Sequence, residues 1–160
     1  LTCIDARRFC VVGNQSIPHD FVIPKGRFQM APSSPKIIIV EDDPIVALGL
    51  ESLLTCHGYT IAGIAEDLEE ALKIVRSGDV DIAIIDIHLA RGPDGVCVAE
   101  VLRQQHDIPA LFVSGGIEPD DEVRALRSRP IGFIDKPFAE TWLLGALRAA
   151  DAMRKRGVAI

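Results

Sequence analysis

Six side chains of this 160-residue chain could do chemistry together: Glu41, Asp42, Asp43, Asp86, Ser114 and Lys136. Each comes at the end of a short apolar run. Glu41-Asp42-Asp43 follows Ile37-Ile38-Ile39-Val40, and Asp86 follows Ile82-Ala83-Ile84-Ile85. Ser114 closes Leu111-Phe112-Val113, and Lys136-Pro137 follows Phe133-Ile134-Asp135. Gathered in one pocket, Glu41, Asp42 and Asp86 would repel one another unless a cation joined them. A hard dication with oxygen ligands does this, and Mg²⁺ usually keeps several waters beside one or two carboxylates. Asp86 would then be a carboxylate nucleophile next to a charge that can neutralise an incoming phosphoryl oxygen. Ser114 can donate a hydrogen bond to a second phosphoryl oxygen, and Lys136 can offer charge to a third. Phosphoryl transfer needs mainly positioning and charge stabilisation, which this set supplies. Singly, each residue has a plainer reading as a solvated turn, a helix cap or a loop lysine. The argument rests on their combination at four strand ends.

The elements that must position them alternate along the chain. Strands are expected at Lys36–Val40, Thr60–Ala65, Asp81–Asp86, Pro109–Ser114 and Gly132–Asp135. Helices are expected from Pro44 to about His57, from Asp67 through Ser77, and from about Asp94 to His106. Two more are expected from about Pro119 to Ser128 and over Ala139–Arg156. Val46, Leu50, Leu53 and Leu54 share one face of the first helix. Trp142, Leu143, Ala146, Leu147 and Ala150 form the apolar face of the last. Wholly apolar strands alternating with helices imply an α/β fold, a doubly wound parallel sheet with helices on both faces. The common five-stranded order is 2-1-3-4-5, with ligands bound at the carboxyl ends of the strands where the order reverses.

Composition narrows the function classes. The net charge is −6, divided as +2 over residues 1–35 and −8 over residues 36–160. So acidic a globular part argues against direct nucleic-acid binding. No apolar run approaches the length of a membrane span. The cysteines Cys3, Cys10, Cys56 and Cys97 form no C-x-x-C pair, and Cys56 and Cys97 are read as small buried hydrophobes. A reduced, cytoplasmic setting is the simplest fit. Residues 1–35, with Pro18, Pro24, Pro32 and Pro35, read as a poorly ordered extension. Translation could start at Met30, which would make the first 29 residues an artefact of start choice. Only four residues follow Arg156, so a single-domain protein is expected, its domain running over residues 36–157.

The four stretches ending in Glu41-Asp42-Asp43, Asp86, Ser114-Gly115 and Lys136-Pro137-Phe138 resemble the receiver domain of two-component response regulators, a CheY-like, flavodoxin-like fold. The resemblance implies that Asp86 is a phosphoacceptor, loaded from a histidine kinase or a histidine phosphotransfer protein. It implies Mg²⁺ held by Glu41, Asp42, Asp86 and the backbone carbonyl of His88, with Asp42 the more direct ligand and Asp43 a bystander. The imidazole of His88 is not needed in this reading. Ser114 and Phe133 match the switch positions, and the changed surface is the face of the fourth helix, fifth strand and fifth helix. That face would bind a downstream protein or pair as a homodimer. A cis Lys136–Pro137 bond is also implied. No enzymatic activity is expected beyond self-phosphorylation and autodephosphorylation.

The loop Ile87-His88-Leu89-Ala90-Arg91-Gly92-Pro93-Asp94-Gly95 departs from the family. Most members have a Met-Pro pair there and one residue fewer before the glycine. Ser114 replaces the commoner threonine. Two alternatives stay open. One is a haloacid dehalogenase-type aspartyl-phosphate phosphatase, although the second aspartate of that class is His88 here. The other is a binding module that keeps the fold without the chemistry.

Overall fold

The computed structural model describes residues 9–12, 15–18 and 34–157. The chain divides into two units, residues 1–32 and 33–160. In the first, strands Phe9–Val12 and Gln15–Pro18 pair antiparallel. The remainder of the segment read as a poorly ordered extension up to residue 33, Met30 included, lies outside the described residues.

The second unit is a five-stranded sheet with helices on both faces. Its elements are β1 (Lys36–Val40), α1 (Pro44–Cys56), β2 (Thr60–Ala65), α2 (Leu68–Ser77) and β3 (Ile82–Ile85). They continue with α3 (Gly95–His106), β4 (Ala110–Ser114), α4 (Pro119–Ala125), β5 (Gly132–Asp135) and α5 (Glu140–Lys155). The strand order is β2-β1-β3-β4-β5 and every pairing is parallel, as the alternating pattern implied. One irregularity interrupts it. Ile37 stands opposite Ile61 and Ile38 opposite Gly63, so Ala62 is an extra residue that bulges the edge strand β2.

The strands are apolar throughout because both faces are covered. Ile38, Val40, Ala83 and Ile85 point to one side, where Ala71 of α2, Ala99 and Leu102 of α3 and Ala125 of α4 pack. Ile37, Ile39, Ile82 and Ile84 point to the other, against Leu50 and Leu54 of α1 and Leu143, Leu147 and Ala150 of α5. This alternation along β1 and β3 fixes which residues reach the carboxyl ends of the strands, and so builds the site.

Three expectations need correction. The fourth helix does not run unbroken to Ser128: α4 ends at Ala125 and Leu126–Ser128 is a 3₁₀ turn. The Ser128 hydroxyl donates to the Ala125 carbonyl at 2.7 Å, drawing that turn tight. Cys56 is exposed rather than buried, because Leu50 and Leu54 mark the inward side of α1 and Cys56 falls half a turn past Leu54. Trp142 is 66% exposed, because Leu143, Leu147 and Ala150 take the core side of α5 and leave it beyond the rim.

Candidate functional site

Four strand ends supply the site. Asp86 directly follows β3, and its amide donates to the Val40 carbonyl at 2.9 Å, fixing it beside the end of β1. The carboxylate is held at both oxygens. Oδ1 accepts from the Ser114 hydroxyl at 2.6 Å and from the His88 amide at 3.0 Å. Oδ2 accepts from Lys136 Nζ at 2.7 Å. Lys136 Nζ also donates to Glu41 Oε2 at 2.6 Å, so one ammonium joins the ends of β1, β3 and β5. Ser114 is fully buried at the end of β4, and Lys136, directly after β5, donates its amide hydrogen to the Ser114 carbonyl at 2.8 Å. The Lys136–Pro137 peptide is cis.

Burial sets the electrostatics. Glu41 is almost wholly buried, and the loss of water pushes its carboxyl above the usual glutamate range. The Lys136 bond works against that push, and the nearby Asp86 charge adds to it. Burial would also raise Asp86, but the bonds from Lys136, Ser114 and the His88 amide outweigh it and hold Asp86 below the usual aspartate range. Lys136 shows the converse: burial opposes its charge, yet the bonds to Asp86 and Glu41 win and raise it. The site thus favours the ionised form of Asp86 in a partly enclosed pocket.

The other acidic residues divide their tasks. Asp42 Oδ2 accepts from the Ala90 amide at 3.0 Å, which draws it to the loop after β3. Asp43 is the N-cap of α1, accepting from the Ile45 and Val46 amides at 2.8 and 3.3 Å. That role accounts for Asp43 without any part in the chemistry. Glu41 and Asp86 thus face one ammonium, and Asp42, next along the chain, bonds the loop after β3. All-oxygen donors with excess negative charge fit a hard dication. Among the described residues the carboxylates do not converge as a three-ligand cage. Glu41 and Asp86 are taken up by Lys136, and Asp42 by Ala90.

A family model described as the response regulator receiver domain matches residues 37–148. The chain belongs to this family. It is 32% identical over 120 residues to the phyllosphere-induced regulator PhyR of Methylorubrum extorquens, covering 74% of this chain and 44% of that protein. It is 30% identical over 115 residues to the regulatory protein VirG of Rhizobium rhizogenes, covering 71% and 47%. The receiver thus spans about half the length of these relatives. Among solved structures it resembles a signal receiver domain of a modulated diguanylate cyclase from Desulfovibrio desulfuricans G20. The TM-score there is 0.72 at 31% identity, over 78% of this chain and 98% of that one. No helix among the described residues is long and apolar enough to cross a membrane.

Of the residues read from the sequence, Glu41, Asp86, Ser114 and Lys136 form one bonded cluster in this receiver, while Asp42 bonds the Ala90 amide instead. Phe133 is partly buried on β5 and stacks on Phe112, ring centroids 5.3 Å apart and planes 11° from parallel. The His88 imidazole, for which no metal role was expected, has Nδ1 3.1 Å from the Ser114 hydroxyl. Gly95 was passed over. A Cβ there would lie 1.9 Å from the Asp86 carbonyl oxygen, so only glycine lets α3 begin this close to the acceptor. Its signal in the sequence was its place as the glycine that closes the loop after Asp86.

Proposed function

We propose that Asp86 accepts a phosphoryl group from a phosphohistidine on a histidine kinase or histidine phosphotransfer protein. One Asp86 oxygen forms the bond to phosphorus, the phosphorus–nitrogen bond breaks, and the donor imidazole leaves. The observation that carries this reading is the hold on Asp86, ionised and bonded at one oxygen by Ser114 and at the other by Lys136. The same hydroxyl and ammonium can transfer their bonds to phosphoryl oxygens as charge moves onto them. Glu41, Asp42, Asp86 and the His88 carbonyl would hold Mg²⁺, Asp42 the more direct of the acidic pair, and the ion when bound supplies further positive charge to the phosphoryl oxygens.

Once phosphorylated, Asp86 gives up its bond from Ser114 to the new group, and Phe133 turns inward. The face of α4, β5 and α5 changes for a downstream protein. Val123, Leu126 and Trp142, each more than 60% exposed, give that face apolar surface. The protein acts in the cytoplasm as a switch, with no chemistry beyond gaining and losing its own phosphoryl group.

The test is incubation with an acyl phosphate or phosphoramidate and Mg²⁺. The expected result is one phosphoryl group per chain, labile to hydroxylamine and absent in Asp86→Asn. Rapid turnover of small phosphate esters would instead establish a phosphatase. An unlabelled wild-type chain beside a competent donor would refute the proposal.

A further inference from the structure

α4 has seven residues, buries Ala125, and makes no side-chain bond at its start. Arg124 ties it to the neighbouring helix. Its Nη2 donates to Asp94 Oδ2 at 2.5 Å, while Nη1 donates to Asp121 Oδ1 at 3.3 Å within α4 itself. The Asp94 carboxylate therefore has two tasks. Oδ1 accepts from the Cys97 amide at 3.0 Å and caps α3, and Oδ2 takes the guanidinium from α4. Burial would raise the Asp94 carboxyl, but the bonds from Arg124 and the Cys97 amide outweigh it and hold it below the usual aspartate range. Both partners are charged at neutral pH, and the bond between them waits on no proton. Asp94 also precedes Gly95, the residue that packs on the Asp86 carbonyl. Arg124 thus fastens α4 to the stretch of chain seated against Asp86.

We infer that Arg124 and Asp94 form a strap that holds α4 against the start of α3 in the unphosphorylated protein and opposes the change of the α4 face. The second half of the inference rests on the reading of Asp86 as phosphoacceptor. Arg124 is 51% exposed and Asp94 36%, and an ion pair so open to water adds little to a well-packed helix. It counts in α4, which has one buried residue to hold it. Val123 and Leu126, exposed on either side of Arg124 in the chain, are the apolar surface that the strap restrains. If the phosphorylated form needs that surface rearranged, cutting the strap lowers the cost of reaching it.

The experiment is amide hydrogen exchange on the full, unphosphorylated chain. Arg124→Gln raises exchange over residues 121–125 about threefold, while β1 and β3 keep their wild-type rates. Asp94→Ser gives a similar rise in α4 but leaves α3 at its wild-type rates, because serine still caps that helix and cannot hold the guanidinium. The double variant adds little to either single one, since both cut the same strap. Salt at 1 M, where the Debye length is about 3 Å, raises α4 exchange in the wild type and not in Arg124→Gln. Wild-type α4 exchange in Arg124→Gln or Asp94→Ser overturns the strap, and so do additive effects in the double variant. Labelling with limiting acyl phosphate and Mg²⁺ then tests what the strap opposes. Arg124→Gln is expected to carry about threefold more label on Asp86 than the wild type, the same factor as its exchange. Equal labelling beside raised exchange overturns the second half of the inference. No label on any of the chains fails the receiver chemistry, and the exchange data still decide the strap.

Discussion

The first three helices of the receiver begin on aspartates and the last two do not. Asp43, Asp67 and Asp94 each accept amide hydrogens from the first turn of α1, α2 and α3. Glu118 and Ala139, at the starts of α4 and α5, make no such bond. α5 compensates by length, with 16 residues and buried Leu143, Leu144, Leu147 and Ala150. α4 has seven residues, buries Ala125, and passes at once into a 3₁₀ turn. A helix this short draws its stability from packing rather than propensity, and α4 has little packing. The contrast teaches that a helix without a cap must hold itself by length and packing, which α5 has and α4 lacks. The Asp86 backbone is fixed by early elements and its carboxylate by Ser114 and Lys136 from late strands, while α4 is the helix with the least to hold it.

The sharpest way to break that contrast is Gly95→Ala. It drives a methyl into the Asp86 carbonyl at the best-anchored point of the fold. Urea denaturation should show a loss of about 3 kcal/mol. Lys136→Met acts across the two regions, since this lysine comes from β5 and its partners follow β1 and β3. Leaving Glu41 and Asp86 together without their ammonium should destabilise by about 2 kcal/mol, the side chains being largely but not wholly buried.

The caps test the contrast directly. Asp67→Ala should cost about 1 kcal/mol in the same assay, whereas Glu118→Ala should stay within about 0.5 kcal/mol. Glu118→Ser, at a residue already extended in backbone, should gain a few tenths of a kcal/mol and slow amide exchange in α4. Equal effects of Asp67→Ala and Glu118→Ala would erase the distinction.

The smallest effect is with pH. Asp86 titrates below its usual range, so it adds stability above about pH 4 that is lost as pH falls through the lowered value. Glu41 is raised, so its share is present at low pH and fades as pH rises through the raised value. Acid unfolding below about pH 4 should therefore be less steep in Asp86→Asn than in wild type. A parallel acid limb in the two proteins would remove Asp86 from the account.

Much of this was legible in the sequence. Apolar runs of four or five residues ending in one polar residue located the strands and, with them, Glu41, Asp86, Ser114 and Lys136. Parallel strands buried on both faces leave only their ends for chemistry, so the pattern and the site were read together. What escaped depends on directions that periodicity does not encode. An apolar stripe shows that a helix has a core side but not how wide it is, hence Cys56 and Trp142. The break after Ala125 depends on one hydroxyl turning back on its own helix. A loop sequence does not say where a ring points, so the contact of the His88 imidazole with Ser114 is seen only in the structure. The capture of Asp42 by Ala90 depends on how the long loop after β3 lies over the strand ends.

The extra residue in β2 has a consequence for the molecule in a crowd. An outermost strand exposes a ladder of amide and carbonyl groups that a neighbouring chain could extend into an aggregate. Ala62 throws that ladder out of step between Ile61 and Gly63. A foreign strand that docked along one half would find itself out of phase along the other. One surplus alanine thereby helps a sheet rich in isoleucine stay solitary at high concentration.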